Sequence, residues 1–284
     1  MPKALKIKKS EHVRIIRSCL DLKAPYRSNY TTLFYHKFIQ FASTMTTYYL
    51  NFIYLSAAKK AHSFIQKYLC DGNTLYVSFH TKKRGARGFL DDYAAYIYAQ
   101  LSLYRATLED EYLAFARALC DKVLSDFHDS AGGFYLYSKD HEKLILRPKE
   151  TYDGAIPSGN SLMAYNLVRL SLLTDEEKYR TAAQRQLDFM GMSAAQYPSS
   201  HSMFLIALLD YNKSPAKVTV VMSDETEKSA IPFDLPHDAI ILLLPKPTEE
   251  YTLKNGSSTY YVCRDNSCLP PTNNLQELIR ICEN

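Results

Sequence analysis

Two kinds of helix alternate along this chain, and the alternation restricts its fold more than any other feature. One kind carries a single apolar stripe. It starts at Tyr54-Leu55-Ser56-Ala57-Ala58 and runs through Ala61, Phe64, Ile65 and Tyr68. It starts again at Tyr112-Leu113-Ala114-Phe115-Ala116, running through Leu119, Val123, Leu124 and Phe127, and a third time at Tyr179-Arg180-Thr181-Ala182-Ala183, running through Leu187 and Met190. Apolar residues at i, i+3, i+4 and i+7 are the mark of an amphipathic helix. The other kind is apolar all round and spans Asp91 to Ala106, Gly159 to Leu173 and Ser200 to Tyr211. A helix apolar on every side belongs inside and a one-striped helix outside, so the repeating unit is a helical hairpin and the layers are concentric. The expected fold is mainly α: a partial α/α toroid of helical hairpins over residues 54–214.

Beyond Pro215 the pattern changes. Lys217 to Met222, Ala239 to Leu244 and Ser258 to Val262 read as strands bounded by prolines and Asn255-Gly256, and Thr272-Asn273-Asn274 offers a cap to a last helix through Leu275, Leu278, Ile279 and Cys282. Residues 215–284 are therefore expected to form a small C-terminal α/β unit. Residues 1–53 have no clear period and are set apart as an N-terminal extension. Between Phe127 and Arg147, the turn Ser130-Ala131-Gly132-Gly133 followed by Phe134 to Ser138 and Lys143 to Leu146 predicts a short β-hairpin.

With 46% apolar and 23% charged residues in 284, the chain is globular material. The net charge of +4 is not gathered into a basic, aromatic-laced patch, which argues against nucleic acid; the basic run Lys82 to Arg87 reads as a solvated loop. No run reaches the ~18 uncharged apolar residues of a membrane span. The basic N-terminal segment is broken by Glu11, His12, Arg14 and Arg17 where a secretory signal needs an apolar core. An intracellular location is expected, cytoplasmic or mitochondrial, with reduced thiols at Cys19, Cys70, Cys120, Cys263, Cys268 and Cys282. The Cys263 and Cys268 pair lacks the second pair or histidines of a zinc site and is wider than a redox Cys-x-x-Cys, so ordinary thiols are the expectation, with no metal and no cofactor.

In a toroid of antiparallel hairpins the inner helices all start at one rim. Three polar loops then meet: Gly88 to Tyr93, Tyr152 to Asn160, and Tyr197 to Ser202. Their aromatic and hydrogen-bonding groups suit a sugar. Glycosidic chemistry needs one carboxyl protonated and one charged, and Asp92 with Asp153 is the nominated pair, with Glu150 as third candidate and His201 as acid or base. Asp91, Tyr93, Arg147, Tyr152, Ser158, Asn160 and Tyr197 are the expected substrate contacts. Each has a competing structural role: Asp91 and Asp92 fit a helix cap, His201 a hydrogen-bonded helix start, and Ser158, Gly159 and Asn160 a bend and cap.

Gly88-Phe89-Leu90-Asp91-Asp92-Tyr93-Ala94, then Gly132-Gly133-Phe134, then Arg147-Pro148-Lys149-Glu150 through Asp153 to Ser161, resemble the C-terminal region of the spermatogenesis-associated protein 20 family, the YyaL-like thioredoxin-domain-containing proteins. Tyr261-Val262-Cys263, Cys268, Pro270 and Pro271 resemble the family's end. The resemblance covers residues 54 to 284 and leaves out 1 to 53. It implies a thioredoxin-like domain followed by a helical toroid similar to the N-acylglucosamine 2-epimerase and six-hairpin glycosidase superfamily. This chain departs from it in having no thioredoxin-like domain, no Cys-x-x-Cys and no Trp, and about three hairpins in place of six. It is expected to be a fragment of a carbohydrate-active toroid, epimerase- or glycosidase-like if an enzyme, and short of full catalytic competence. Two alternatives stand beside a sugar ligand: a scaffold that meets a protein partner through an open apolar helix face, and a thiol-based role that needs Cys263 and Cys268 close together and accessible.

Overall fold

The structure, a computed structural model, describes residues 52–141, 146–213, 215–224, 235–236, 239–264 and 267–283. Helix α1 (Phe52–Phe64) ends in a π-turn over Ile65–Leu69 and leads into two small hairpins, β1 (Cys70–Asp71) with β2 (Thr74–Leu75), and β3 (Phe79–His80) with β4 (Lys83–Arg84). Then come α2 (Leu90–Thr107), α3 (Asp110–Asp126), α4 (Gly159–Thr174), α5 (Glu177–Gln196) and α6 (Ser202–Lys213). The expected two layers are present. Helix α4 is buried along almost its whole length and α2 nearly so, whereas α3 and α5 each bury one stripe.

The stripes show that the hairpin is a true repeat. Tyr112, Ala116, Leu119, Cys120 and Val123 on α3 match Tyr179, Ala183, Gln186, Leu187 and Met190 on α5 at one constant spacing. The turns inside the hairpins match too. Leu108 and Asp175 both take the left-handed conformation after the inner helix, at φ 55° and 54°. The threonine just before each, Thr107 or Thr174, donates to the carbonyl four residues back and accepts the N–H of Glu109 or Glu176. Each hydroxyl thus serves the end of one helix and the start of the next. The inner helices pack side by side, with Tyr98 and Tyr165 rings 5.2 Å apart and Asn166 Nδ2 donating to Ala94 O at 2.8 Å.

The small C-terminal unit is a sheet in the order β6-β5-β7-β8, with β5 (Lys217–Val221) parallel to β6 (Ile240–Leu244) and antiparallel to β7 (Thr259–Arg264), and β8 (Ser267–Cys268) at the edge. Helix α7 (Leu275–Glu283) follows, its first turn capped by Asn274 Oδ1, which accepts from Gln276 N and Glu277 N. This unit sits against the C-terminal ends of the inner helices. Arg105 of α2 donates to the carbonyls of Leu235 and Pro236 at 3.1 and 3.0 Å, and Arg169 of α4 reaches Ala239 O at 3.4 Å. Both arginines are buried, and Arg105 lies in the last turn of its helix, where the helix dipole favours a cation.

Two expectations need correction. Phe134 to Ser138 forms no hairpin strand among the described residues. It instead runs between two other segments, with a bridge from His128 to Phe134 on one side and Leu136 N donating to Pro148 O on the other; residues 143–145 of the expected return strand lie outside the described ones. The thiols are not all reduced either, since Cys263 and Cys268 form a disulfide across β7 and β8. Among the described residues no helix is long and apolar enough to cross a membrane, and no three His, Cys, Asp or Glu side chains are grouped to hold a metal.

Candidate functional site

The N-termini of α2, α4 and α6 are tied to one another by carboxylates. Asp91 Oδ1 accepts Gly159 N at 2.8 Å, joining the start of α2 to that of α4. The helices come so close there that a Cβ on Gly159 would fall inside contact distance of Asp91 Oδ1 and 2.9 Å from Leu90 Cγ. Asp153 makes the second tie. Its Oδ1 accepts Ser158 N at 2.9 Å, its Oδ2 accepts Met203 N at 2.8 Å, and its own N–H donates to Ser200 O at 2.8 Å. The three polar loops therefore form one continuous rim.

The other expected residues fall into two groups. Those spent on the scaffold come first. Asp92 is buried and accepts Phe89 N at 2.9 Å, closing the first turn of α2 as a capping residue does. Tyr93 points into the core, where its hydroxyl accepts Leu75 N at 3.0 Å and its ring lies 5.2 Å from Phe127; burial pushes its hydroxyl up to about 12. Ser158 caps α4 by accepting Ser161 N. Asn160, with no exposed surface, acts as an extra peptide group. It accepts Phe134 N at 2.9 Å and donates to Phe134 O and Glu150 O at 3.0 and 2.8 Å, while Gln186 Nε2 from α5 reaches both its carbonyl and its Oδ1.

Residues that face outward form the second group. Tyr152 and Tyr197 are each 65% exposed on loops that Asp153 clamps together, with Ile156 and Leu146 also exposed nearby in sequence. Glu150 is exposed. Arg147 stacks its guanidinium 4.0 Å from the Tyr135 ring centroid and donates to Tyr137 O at 2.7 Å. Behind this surface lies His201, 5% exposed, whose Nδ1 meets Tyr197 O at 2.9 Å, so that Nδ1 carries the proton and Nε2 is a buried acceptor with no partner among the described residues.

Asp129 anchors a neighbouring charged group. Lys149 at 2.5 Å and the Tyr135 hydroxyl at 2.7 Å hold its carboxyl well below the usual carboxylate range. Phe189 covers Gly132 and Gly133, both at positive φ, and carries Lys149 over its ring. The glycines are needed because any side chain there would strike Phe189.

Sequence reasoning missed a polar site between the first two hairpins. His62 of α1 is 8% exposed, with Tyr96 Oη and Gln100 Nε2 each 3.0 Å from its Nδ1. It borders an open cavity of about 560 Å³ together with Lys59, Glu109 and Tyr112. Burial lowers its pKa to about 4. The available signal was its place on the apolar stripe of α1, between Ala61 and Ile65.

Comparison with known proteins shows what the chain is similar to. An uncharacterised protein of Caenorhabditis elegans is 34% identical over 140 residues, 46% of this chain, and human spermatogenesis-associated protein 20 is 28% identical over 213 residues, 68% of this chain. The chain is related to spermatogenesis-associated protein 20. These alignments span 19% of the nematode protein and 27% of the human one, so the relationship concerns a part of each relative. No family model matches the chain. Among solved structures, a GH76 alpha-mannanase of Bacteroides thetaiotaomicron superposes with a TM-score of 0.54 at 14% identity, covering 74% of this chain and 58% of that one. At that identity the likeness speaks for the α/α toroid fold and not for an activity.

Proposed function

We propose that this chain binds carbohydrate at the rim of its partial toroid without turning it over. The observation that supports this most is the pair of tyrosines, Tyr152 and Tyr197, two thirds exposed on loops held at a fixed separation by Asp153. Flat aromatic faces beside backbone and carboxylate acceptors are what a pyranose ring and its hydroxyls require. The lack of turnover follows from where the acids are spent. Asp153 accepts a backbone N–H on each oxygen and Asp92 closes a helix turn, so neither is held in readiness for proton transfer. Two carboxyls doing glycosidic work need unequal environments and an open space between them. The alpha-mannanase of similar fold makes a mannose-containing glycan the first to try.

The test is a glycan panel read by thermal shift and by tyrosine fluorescence, which is the natural reporter in a chain with 23 Tyr and no Trp. Expected are a shift with at least one glycan, its loss in Tyr152→Ala with Tyr197→Ala, and no released or epimerised sugar by NMR. A response that survives the double substitution, or measurable turnover, would refute the proposal.

A second reading has its own support. Met192 of α5 and Ile206 and Leu209 of α6 are 79%, 47% and 55% exposed, and exposed apolar side chains of this size are what a protein partner would cover. Sedimentation that shows self-association, together with silence across the glycan panel, would favour it.

A further inference from the structure

We propose that Cys263–Cys268 is a surface-addressable disulfide that low-molecular-weight thiols reduce and re-form while the chain stays folded. The bond joins directly opposed residues of β7 and β8, with Cα atoms 4.0 Å apart, on the edge of the sheet. Cys268 is exposed and Cys263 half-buried. An incoming thiolate therefore has access to one sulfur without any opening of the core.

The bond is one of several ties on this edge of the sheet. The two cysteines are five residues apart, so the loop they close is short, and the constraint it places on the unfolded chain is smaller than that of a long loop. The chain after β8 is fastened independently: Leu269 N donates to Val262 O at 2.9 Å, Tyr260 and Thr272 exchange backbone bonds at 2.8 and 3.1 Å, and Asn273 Nδ2 donates to Ser258 O at 2.8 Å. Helix α7 is held through Arg264, which donates to Cys282 O at 3.0 Å. Breaking the sulfur bond leaves all of these in place.

The reaction is ordinary thiol–disulfide exchange with a glutathione-type thiol as reductant. A thiolate attacks the exposed Cys268 Sγ, a new S–S bond forms there, and Cys263 leaves as thiolate and takes a proton. Lys217 stands opposite Cys263 in the β5–β7 register, with its ammonium paired to Asp175. A second thiol then attacks the mixed disulfide at its external sulfur, releasing Cys268 as a thiol and the two small thiols as their disulfide. Two electrons and two protons pass to the protein. The described free cysteines contrast with this pair. Cys70, Cys120 and Cys282 are buried, and burial pushes the Cys70 thiol up to about 12 and the Cys120 thiol higher still.

The experiment is native incubation of the purified chain in glutathione buffers of graded redox ratio, followed by an alkylation quench and peptide mass spectrometry, with far-UV circular dichroism in parallel. The expected result is joint, reversible labelling of Cys263 and Cys268 with an unchanged helical spectrum, and protection of Cys70, Cys120 and Cys282 until urea is added. Cys263→Ser, which leaves the attacked sulfur, should accumulate a glutathione adduct at Cys268 at least about tenfold faster than Cys268→Ser does at Cys263. The proposal is overturned if the pair becomes reducible only together with unfolding. It is equally overturned if the two cysteines are free thiols that oxidised glutathione fails to join.

Discussion

His62 should make the first two hairpins acid-labile. Its ring is buried between α1 and α2, and Nδ1 faces two groups, the Tyr96 hydroxyl and the Gln100 amide nitrogen, of which the amide can only donate. Nδ1 must therefore stay an acceptor, and protonating it would place a donor against a donor inside the core. Burial takes its pKa from 6.5 to about 4. In the unfolded chain the ring takes up its proton near 6.5, whereas in the folded chain it waits until about 4. Between those values the unfolded state binds more protons, so stability is full above pH 6.5 and falls as acid is added. The loss levels off below about pH 4 at about 3 kcal/mol, from ~1.36 kcal/mol per pH unit of separation. Tyr112 packs edge-on against the ring, and Lys59 and Glu109 border the same cavity, so carboxylate titration will add its own slope. The assay removes that background by comparing urea unfolding of the native chain and of His62→Gln from pH 7.5 to 4. The difference between the two should narrow by about 3 kcal/mol across the window. A difference that is flat over the window would refute the reasoning about this histidine.

Substitutions at two rim positions, with Gly191 as a control, check the rim. Gly159→Ala should cost about 1–3 kcal/mol in urea unfolding, because its methyl group collides with Asp91 and Leu90, while Gly191→Ala, where nothing lies within 4 Å, should gain about 0.5–1 kcal/mol from helix propensity. Asn160→Ala should cost about 3 kcal/mol or more by stranding the Phe134 peptide group and Glu150 O, and Asn160→Asp should recover none of that loss, because it sets a buried carboxylate oxygen against both carbonyls.

Much of this architecture could be read from residue order. The alternation of one-striped and all-apolar helices located α2 to α6, because hydrophobic period is a local property that burial must obey. The strands at Lys217, Ile240 and Thr259 were visible for the same reason. The rim was visible only as a location. That Asp153 turns both oxygens to backbone N–H groups of two different segments depends on where Met203 lies, and no spacing records that. Tyr93 illustrates the point from the other side: its position beside Asp92 suggested a sugar contact, but a helix turns by a hundred degrees per residue, and that carries the ring away from the rim and into the core. The disulfide was hidden because β8 is only two residues long, too short to leave a pattern.

The two arginines at the far end of the inner helices bear on how the chain comes apart. Arg105 and Arg169 are long cations sunk among helices, and the carbonyls that satisfy them come from residues 235, 236 and 239 of the other unit. Pull that unit away and Arg105 loses two carbonyl acceptors and Arg169 loses one, while Arg169 keeps Asp210 of α6 at 3.5 Å. The change from helix to strand near residue 215 is thus a boundary of texture and not of cooperativity. Cut there, the helical part would lose three side-chain hydrogen bonds at its base, so the two halves are expected to melt in a single transition.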